Sequence, residues 1–180
     1  MKRITALLLS AILLFVFAAC TVDTPIKIDN TPQPTDNRVE LQEEEKDPVF
    51  QVGETAQLDG VTVSLVEVAE NDGSKYNKPA DGNVFVLCEF VIENNSDTEL
   101  NVSSILSFEA YCDDYACTFS LTALMEKGNK NQLDGTVAPG KKFSGVIGYE
   151  VPEDWQTLEI HYTPDVLSSN EIVFAATNEQ

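Results

Sequence analysis

Basic side chains are scarce in this chain of 180 residues: 11 Lys and Arg stand against 30 Asp and Glu, a formal net charge of −19. Nucleic acid and anionic headgroups are bound by cations that neutralise phosphate. The imbalance therefore excludes a nucleic-acid function, and leaves cationic partners or divalent ions as what the acidity would attract. Histidine is scarcer still, with His161 alone. A nucleophile–base–acid triad would have to use it, yet Gly-x-Ser-x-Gly is absent, as are His-Glu-x-x-His and a glycine-rich phosphate loop. His161 shares the parity of Glu159 and Thr163 within Leu158–Thr163, which places it outward on a strand as a solvated residue. Paired Cys-x-x-Cys spacing is missing, and structural zinc normally takes four Cys or His ligands, so no metal or other cofactor is expected. No repeat of fixed period occurs.

Long apolar runs are also few. The one that stands out begins the chain: Lys2 and Arg3, an uncharged stretch from Ile4 to Phe17, then Ala18, Ala19 and Cys20. A bilayer-spanning helix needs about 20 apolar residues, and this run is shorter and carries Thr5 and Ser10. Basic n-region, apolar h-region and small-residue cleavage site are the parts of a secretory signal. With a cysteine where cleavage would fall, the run resembles the lipobox of bacterial lipoproteins, although Phe17 stands where that pattern carries Leu. The resemblance implies diacylated Cys20 as the mature N-terminus, held to the extracytoplasmic face of the cytoplasmic membrane. A plain secretory signal with an incidental Cys20 is the rival reading. Residues 20–49 read as a lipidated cysteine and disordered acidic tether, with Pro25, Pro32, Pro34 and Pro48 and the run Glu43–Asp47. They hold too few apolar residues to offset the entropy of ordering. As a flexible coil, about 30 residues reach roughly 30 Å. Without Lys2 and Arg3 the chain would carry −21, and residues 51–180 hold 22 acidic and 6 basic side chains.

Residues 50–180 have the length of one domain, and their pattern is all-β. Val61, Val63, Leu65 and Glu67 fall on one face of a strand over 61–68, with Val66 and Val68 opposite. Val84–Glu93 is the strongest strand. Its wholly apolar parity (Val84, Val86, Cys88, Phe90, Ile92) is expected to face the core, and the parity of Glu89 and Glu93 to face out. Further strands read at 105–112, 117–121, 143–151, 158–163 and 172–175, separated by turns at Asp113-Asp114, Gly128-Asn129, Pro139-Gly140, Pro152–Asp154 and Ser168–Asn170. A short helical turn fits within 121–128. Seven to nine short strands at this spacing predict an antiparallel β-sandwich.

Gly53-Glu54-Thr55-Ala56, the central run Phe85–Ser96, Val137–Lys141, and Gly148–Pro152 followed by Leu158-Glu159-Ile160 together resemble one family. It is the telokin-like, immunoglobulin-like domain of unknown function found on Gram-positive lipoproteins, and the resemblance covers about residues 50–176. It implies an immunoglobulin-like sandwich outside the cytoplasm, with no established enzymatic activity and no catalytic residue to carry over.

Apart from Cys20 the chain has Cys88, Cys112 and Cys117. An envelope location permits disulfides. Cys112 and Cys117 bracket four residues as a hairpin turn would, within the ~4.4–6.8 Å Cα separation a bridge requires. Cys112–Cys117 is the expected pair, Cys88 a buried thiol, and Cys88–Cys112 the alternative. Asp72 and Asp81 in one polar loop and Asp113-Asp114 in a second are weak candidates for calcium, which takes six to eight oxygens. Trp155 reads as a cap on the core or as a partner anchor. The expectation is a membrane-anchored, non-enzymatic interaction module with a protein or cell-wall partner. A cation-responsive module and an envelope hydrolase are the alternatives. Loops at 70–83, 113–116 and 125–134 would meet the partner.

Overall fold

The computed structural model describes residues 26–27, 48–165 and 169–178. Twelve strands and one short helix occur among them: β1 (Ile26–Lys27), β2 (Val49–Gln51), β3 (Thr55–Leu58), β4 (Val61–Asn71), β5 (Asn83–Asn94), β6 (Leu100–Val102), β7 (Phe108–Cys112), β8 (Tyr115–Cys117), α1 (Leu121–Leu124), β9 (Gly135–Val137), β10 (Lys141–Pro152), β11 (Thr157–Tyr162) and β12 (Ile172–Thr177). They form two five-stranded sheets, ordered β1-β3-β4-β5-β10 and β2-β12-β11-β7-β8, and a β6–β9 pair. All pairings between these strands are antiparallel except β2 on β12. This is the expected all-β sandwich, with additional short strands and with β4, β5, β10 and β12 longer than periodicity alone resolves.

The core is where the alternation of β5 placed it. Val84, Val86, Cys88, Phe90 and Ile92 are all buried, and across the sandwich Phe90 meets Phe108 and Phe174 at ring-centroid separations of 5.2 and 5.7 Å. Phe50 on Phe174 and Phe108 on Tyr162 extend the cluster. Each such ring taken from water contributes roughly 1.5–3 kcal/mol. Cross-sheet aromatic packing thus fixes how the sheets face each other.

Three departures from strict alternation have local causes. Register between β4 and β5 shifts between Leu65 and Glu67, so Val66 bulges out and is 48% exposed. The bulge exchanges the faces downstream. Val68, expected opposite the core, packs partly buried against it across from Cys88, and Glu67 turns outward across from Glu89. Two facing carboxylates repel, and Lys130 Nζ lies between them, 2.5 Å from Glu67 and 2.7 Å from Glu89. That ammonium holds the Glu89 carboxyl below its usual range. Second, Ile105 and Leu106, expected to begin a strand, lie exposed in a turn and β7 starts at Phe108. Third, Phe85 is buried although it shares the outward parity of Glu89, because α1 packs over β5 and β10 there.

The segment around α1 also closes the free edge of β10. Ser120 N donates to Gly148 O at 2.8 Å, Val146 N to Asn131 O at 2.8 Å and Leu133 N to Val146 O at 3.1 Å. Ser120 caps the helix by accepting from Ala123 N. An open edge invites pairing with other chains, and here the chain covers its own. So close an approach requires glycine: a Cβ at Gly148 would lie 2.7 Å from Leu124 N and 2.9 Å from Ala123 Cβ. Asn94, fully buried at the end of β5, makes the last tie. Its Nδ2 donates to Thr98 O (2.7 Å) and Val137 O (2.8 Å), and its Oδ1 accepts from Ser96 N and Oγ.

Register fixes two ends. Turns at 59–60, 95–99 and 138–140 lie together at one, since Val61 and Lys141 both pair with Asn94. Loops at 72–82, 113–114 and 153–156 lie at the other, where Glu153 N donates to Gly82 O and Asp113 N to Thr157 O. Gly148→Ala is expected to lower unfolding free energy by about 1–3 kcal/mol through overpacking. Gly135→Ala, whose Cβ would meet only Phe143 at 3.7 Å, should stay within about 0.5 kcal/mol. Urea denaturation of the two variants checks this.

Candidate functional site

The loop end gathers most of the residues singled out from sequence. Asp113 and Asp114 form a two-residue turn with φ of 47° and 68°, a left-handed backbone that Asp tolerates better than most residues. Cys112 therefore faces Tyr115, and Cys117 faces Ala110. The two cysteines share one face of the hairpin but are diagonal rather than opposite, because the turn has two residues and not four. Asp113 does structural work: its carboxylate accepts from Thr157 N (2.8 Å), Thr157 Oγ1 (3.1 Å) and Gln156 N (3.1 Å). The Thr157 amide leads in holding its carboxyl below the ordinary value of 3.8.

Asp72 and Asp81 lie in a loop closed on itself. Gly73 N donates to Asn71 Oδ1, Ser74 N to Asn77 O, and Lys78 Nζ to the Asp72 carbonyl. Asn77 Nδ2 ties this loop to α1 through Thr122 O (2.8 Å) and Glu126 Oε1 (2.7 Å). Two of the three loops expected to meet a partner are thus joined. Among the described residues no group of three or more His, Cys, Asp or Glu side chains is placed to hold a metal ion. The four candidate aspartates divide between two loops.

Trp155 is 3% exposed and caps the core, its Nε1 donating to Glu70 Oε1 at 2.7 Å. The same oxygen accepts from Asn178 Nδ2 at 3.0 Å. The tryptophan anchors the end of the sandwich and offers little surface to a partner. His161, expected to be solvated, is largely covered, because Tyr111 stacks edge-on against it at 5.3 Å. Nδ1 lies 3.0 Å from Glu171 Oε1, and Nε2 makes no hydrogen bond. No hydroxyl or thiol is bonded to it.

Cys88, Cys112 and Cys117 are thiols, the first two buried and the third half-buried. Burial pushes the Cys88 thiol up strongly, raises Cys112 to about 12, and raises Cys117. A thiol protonated at neutral pH is a poor nucleophile. Cys117 borders two clefts. One, of about 400 Å³, is mostly apolar and lined by Ile105, Phe108, Ala110, Phe119 and Tyr149. The other, of about 550 Å³, includes Asp113, Tyr115, Glu150 and Gln156. The first was not foreseen: Phe119 reaches it through an isolated bridge to Tyr149, a contact without sequence signal. Cys20 lies outside the described residues.

The Asp113 geometry has a pH consequence. Its folded pKa is depressed, so it stabilises the fold above its ordinary value, and that contribution disappears as pH falls through the lower native value. Asp113→Asn, which the left-handed backbone also accepts, is expected to be less stable than the parent at pH 7. The difference should close as pH drops below 3.8. Urea midpoints of both proteins across this range measure it.

Comparison with known proteins adds the fold's relatives. The ycdA protein of Bacillus subtilis matches with a TM-score of 0.59 at 20% identity, over 70% of this chain and 39% of its own. The yjhA protein of Bacillus subtilis matches with a TM-score of 0.54 at 18% identity, over 70% of this chain and 98% of its own. At these identities the likeness is one of fold. The chain spans about two fifths of the length of ycdA. No match is found among curated proteins. The model of a domain of unknown function, DUF4352, matches residues 50–172, and the chain belongs to that family.

Proposed function

We propose that this protein is a lipoprotein, acylated at Cys20 on the extracytoplasmic face of the cell membrane, whose sandwich serves as a non-enzymatic interaction module. The run from Lys2 to Cys20, ahead of a sandwich of this family, is the observation that carries the reading. One neighbour in fold, ycdA, bears the description "putative lipoprotein", which agrees with it. Diacylation suits the task, since one chain gives marginal binding and two give stable attachment at roughly 0.8 kcal/mol per buried methylene.

The interaction role is supported by what the polar groups do. Asp113, Glu70 and Asn94 accept or donate within the fold, and His161 is bonded to no nucleophile. A rigid sandwich with structured end loops has the form of a binding scaffold. Part of the same reading is a Cys112–Cys117 disulfide. The two share a face of the β7–β8 hairpin, and an envelope location permits oxidation.

Cys20→Ala is expected to abolish lipid labelling and either release the protein or leave the precursor uncleaved. Continued labelling would overturn the assignment. Alkylation of the native protein under denaturing conditions without reductant is expected to mark Cys88 and neither Cys112 nor Cys117, read by mass spectrometry of the peptides.

A further inference from the structure

The N-terminal segment reaches the sandwich twice, both times from the same end. β1 runs antiparallel to β3, with Ile26 opposite Gln57 and Lys27 opposite Ala56. Its first residue is thus nearer the turn at 59–60. β2 runs parallel to β12, with Val49 opposite Val173. β12 starts where Ile172 faces Tyr162, and Tyr162 faces Phe108. A cleft of about 480 Å³ joins that region to the same turns, through Asp59, Ser96, Leu106, Ser107 and Asp165. Two independent pairings therefore deliver the chain to the end carrying turns 59–60, 95–99 and 138–140.

Distance sharpens this. Six residue steps separate Cys20 from Ile26, and an extended chain spans at most about 3.3–3.6 Å per residue, or roughly 20 Å. A strand held at Ile26–Lys27 ties the sandwich within that distance of the acylated cysteine, whereas a free tether would leave it to swing. The twelve residues of β5, at about 3.3 Å each, place the opposite end some 40 Å further out.

We propose that pairing of Ile26–Lys27 with the β3 edge clamps the sandwich upright on the bilayer, with turns 59–60, 95–99 and 138–140 against the lipid headgroups and loops 72–82, 113–114 and 153–156 outermost. The orientation rests on the lipoprotein reading; the clamp does not. The outer loops, joined by Asn77 to α1, are then the surface that a partner in the wall or on another cell component meets first.

Two measurements separate clamp from anchor. Hydrogen exchange on the full mature chain with Cys20→Ser needs no lipid. Replacing Ile26 and Lys27 together by Pro is expected to speed exchange of the β3 amide within 55–58 that faces β1 by about tenfold or more, leaving the amides that face β4, and those of β11 and β12, unchanged. Equal β3 exchange in the two chains overturns the clamp. The second uses acylated protein in vesicles of phosphatidylglycerol and phosphatidylcholine with an energy-transfer acceptor on the headgroups. A donor is placed at Asp97→Cys or Asp81→Cys in a Cys117→Ser background, the remaining thiols being buried. Transfer should be stronger from position 97 than from 81, and the double proline variant should shrink the difference. Equal transfer overturns the orientation. No transfer from either position refutes anchoring itself, and the exchange comparison still decides the clamp.

Discussion

The structure depends on β5, one face of which is wholly buried and the other covered in part. One face supplies Val84, Val86, Cys88, Phe90 and Ile92 to the space between the sheets, and Phe85 is covered on the other by α1. A one-residue slip would exchange the two faces, carrying Glu89 and Glu93 into the core and its apolar side chains out of it. β4 and β10 pair with it along nearly its whole length, so its placement sets theirs. Asn94 then stops it. A buried amide that makes four hydrogen bonds costs little where it sits, and removing it leaves carbonyls unpaired in a dry site. The same residue brings the β6–β9 pair onto the end of the sandwich, through Val137.

How much of this was legible follows from the range of each interaction. The core face of β5 reads from period-two alternation because both signal and cause lie within ten residues. The bulge at Val66 does not read, since alternation continues through it and only the partner strand shows the extra residue. The Asp113-Asp114 turn was placed correctly, but its two-residue length, and with it the diagonal placement of Cys112 and Cys117, depends on which residues of β7 and β8 face each other. The cover over Phe85 depends on residues 36 to 39 positions further along the chain. Gly148 marks that contact in the sequence, but a glycine in a strand states only that something approaches, not what.

The residues that sequence reading weighed for chemistry are mostly engaged in holding the ends together. Asp113 caps the start of β11, Glu70 receives Trp155 and Asn178, and Lys130 relieves the repulsion of Glu67 and Glu89. Acidic groups in such roles serve two purposes at once. They join loops that would otherwise fray, and the carboxylates in excess of the six basic side chains keep the domain charged and soluble. The thiols conform to the same pattern, since burial raises them all and the half-buried Cys117 donates to the Tyr115 carbonyl.

What distinguishes the two ends of the sandwich is therefore their relation to the N-terminal segment and not a constellation of reactive groups. Strand direction makes that relation unavoidable: β2 is parallel to β12, and β1 antiparallel to β3, so both must start at the end that carries Asn94. Reversing either would require the chain to cross the length of the sandwich before pairing. Under the proposed attachment at Cys20, this topological property of the sheets becomes a spatial one. Loops 72–82 and 153–156, tied by hydrogen bonds to neighbouring segments, lie at the end opposite Asn94. Rigid loops at the far end of a short attachment suit contact with a partner, because little conformational freedom is left to lose when they bind.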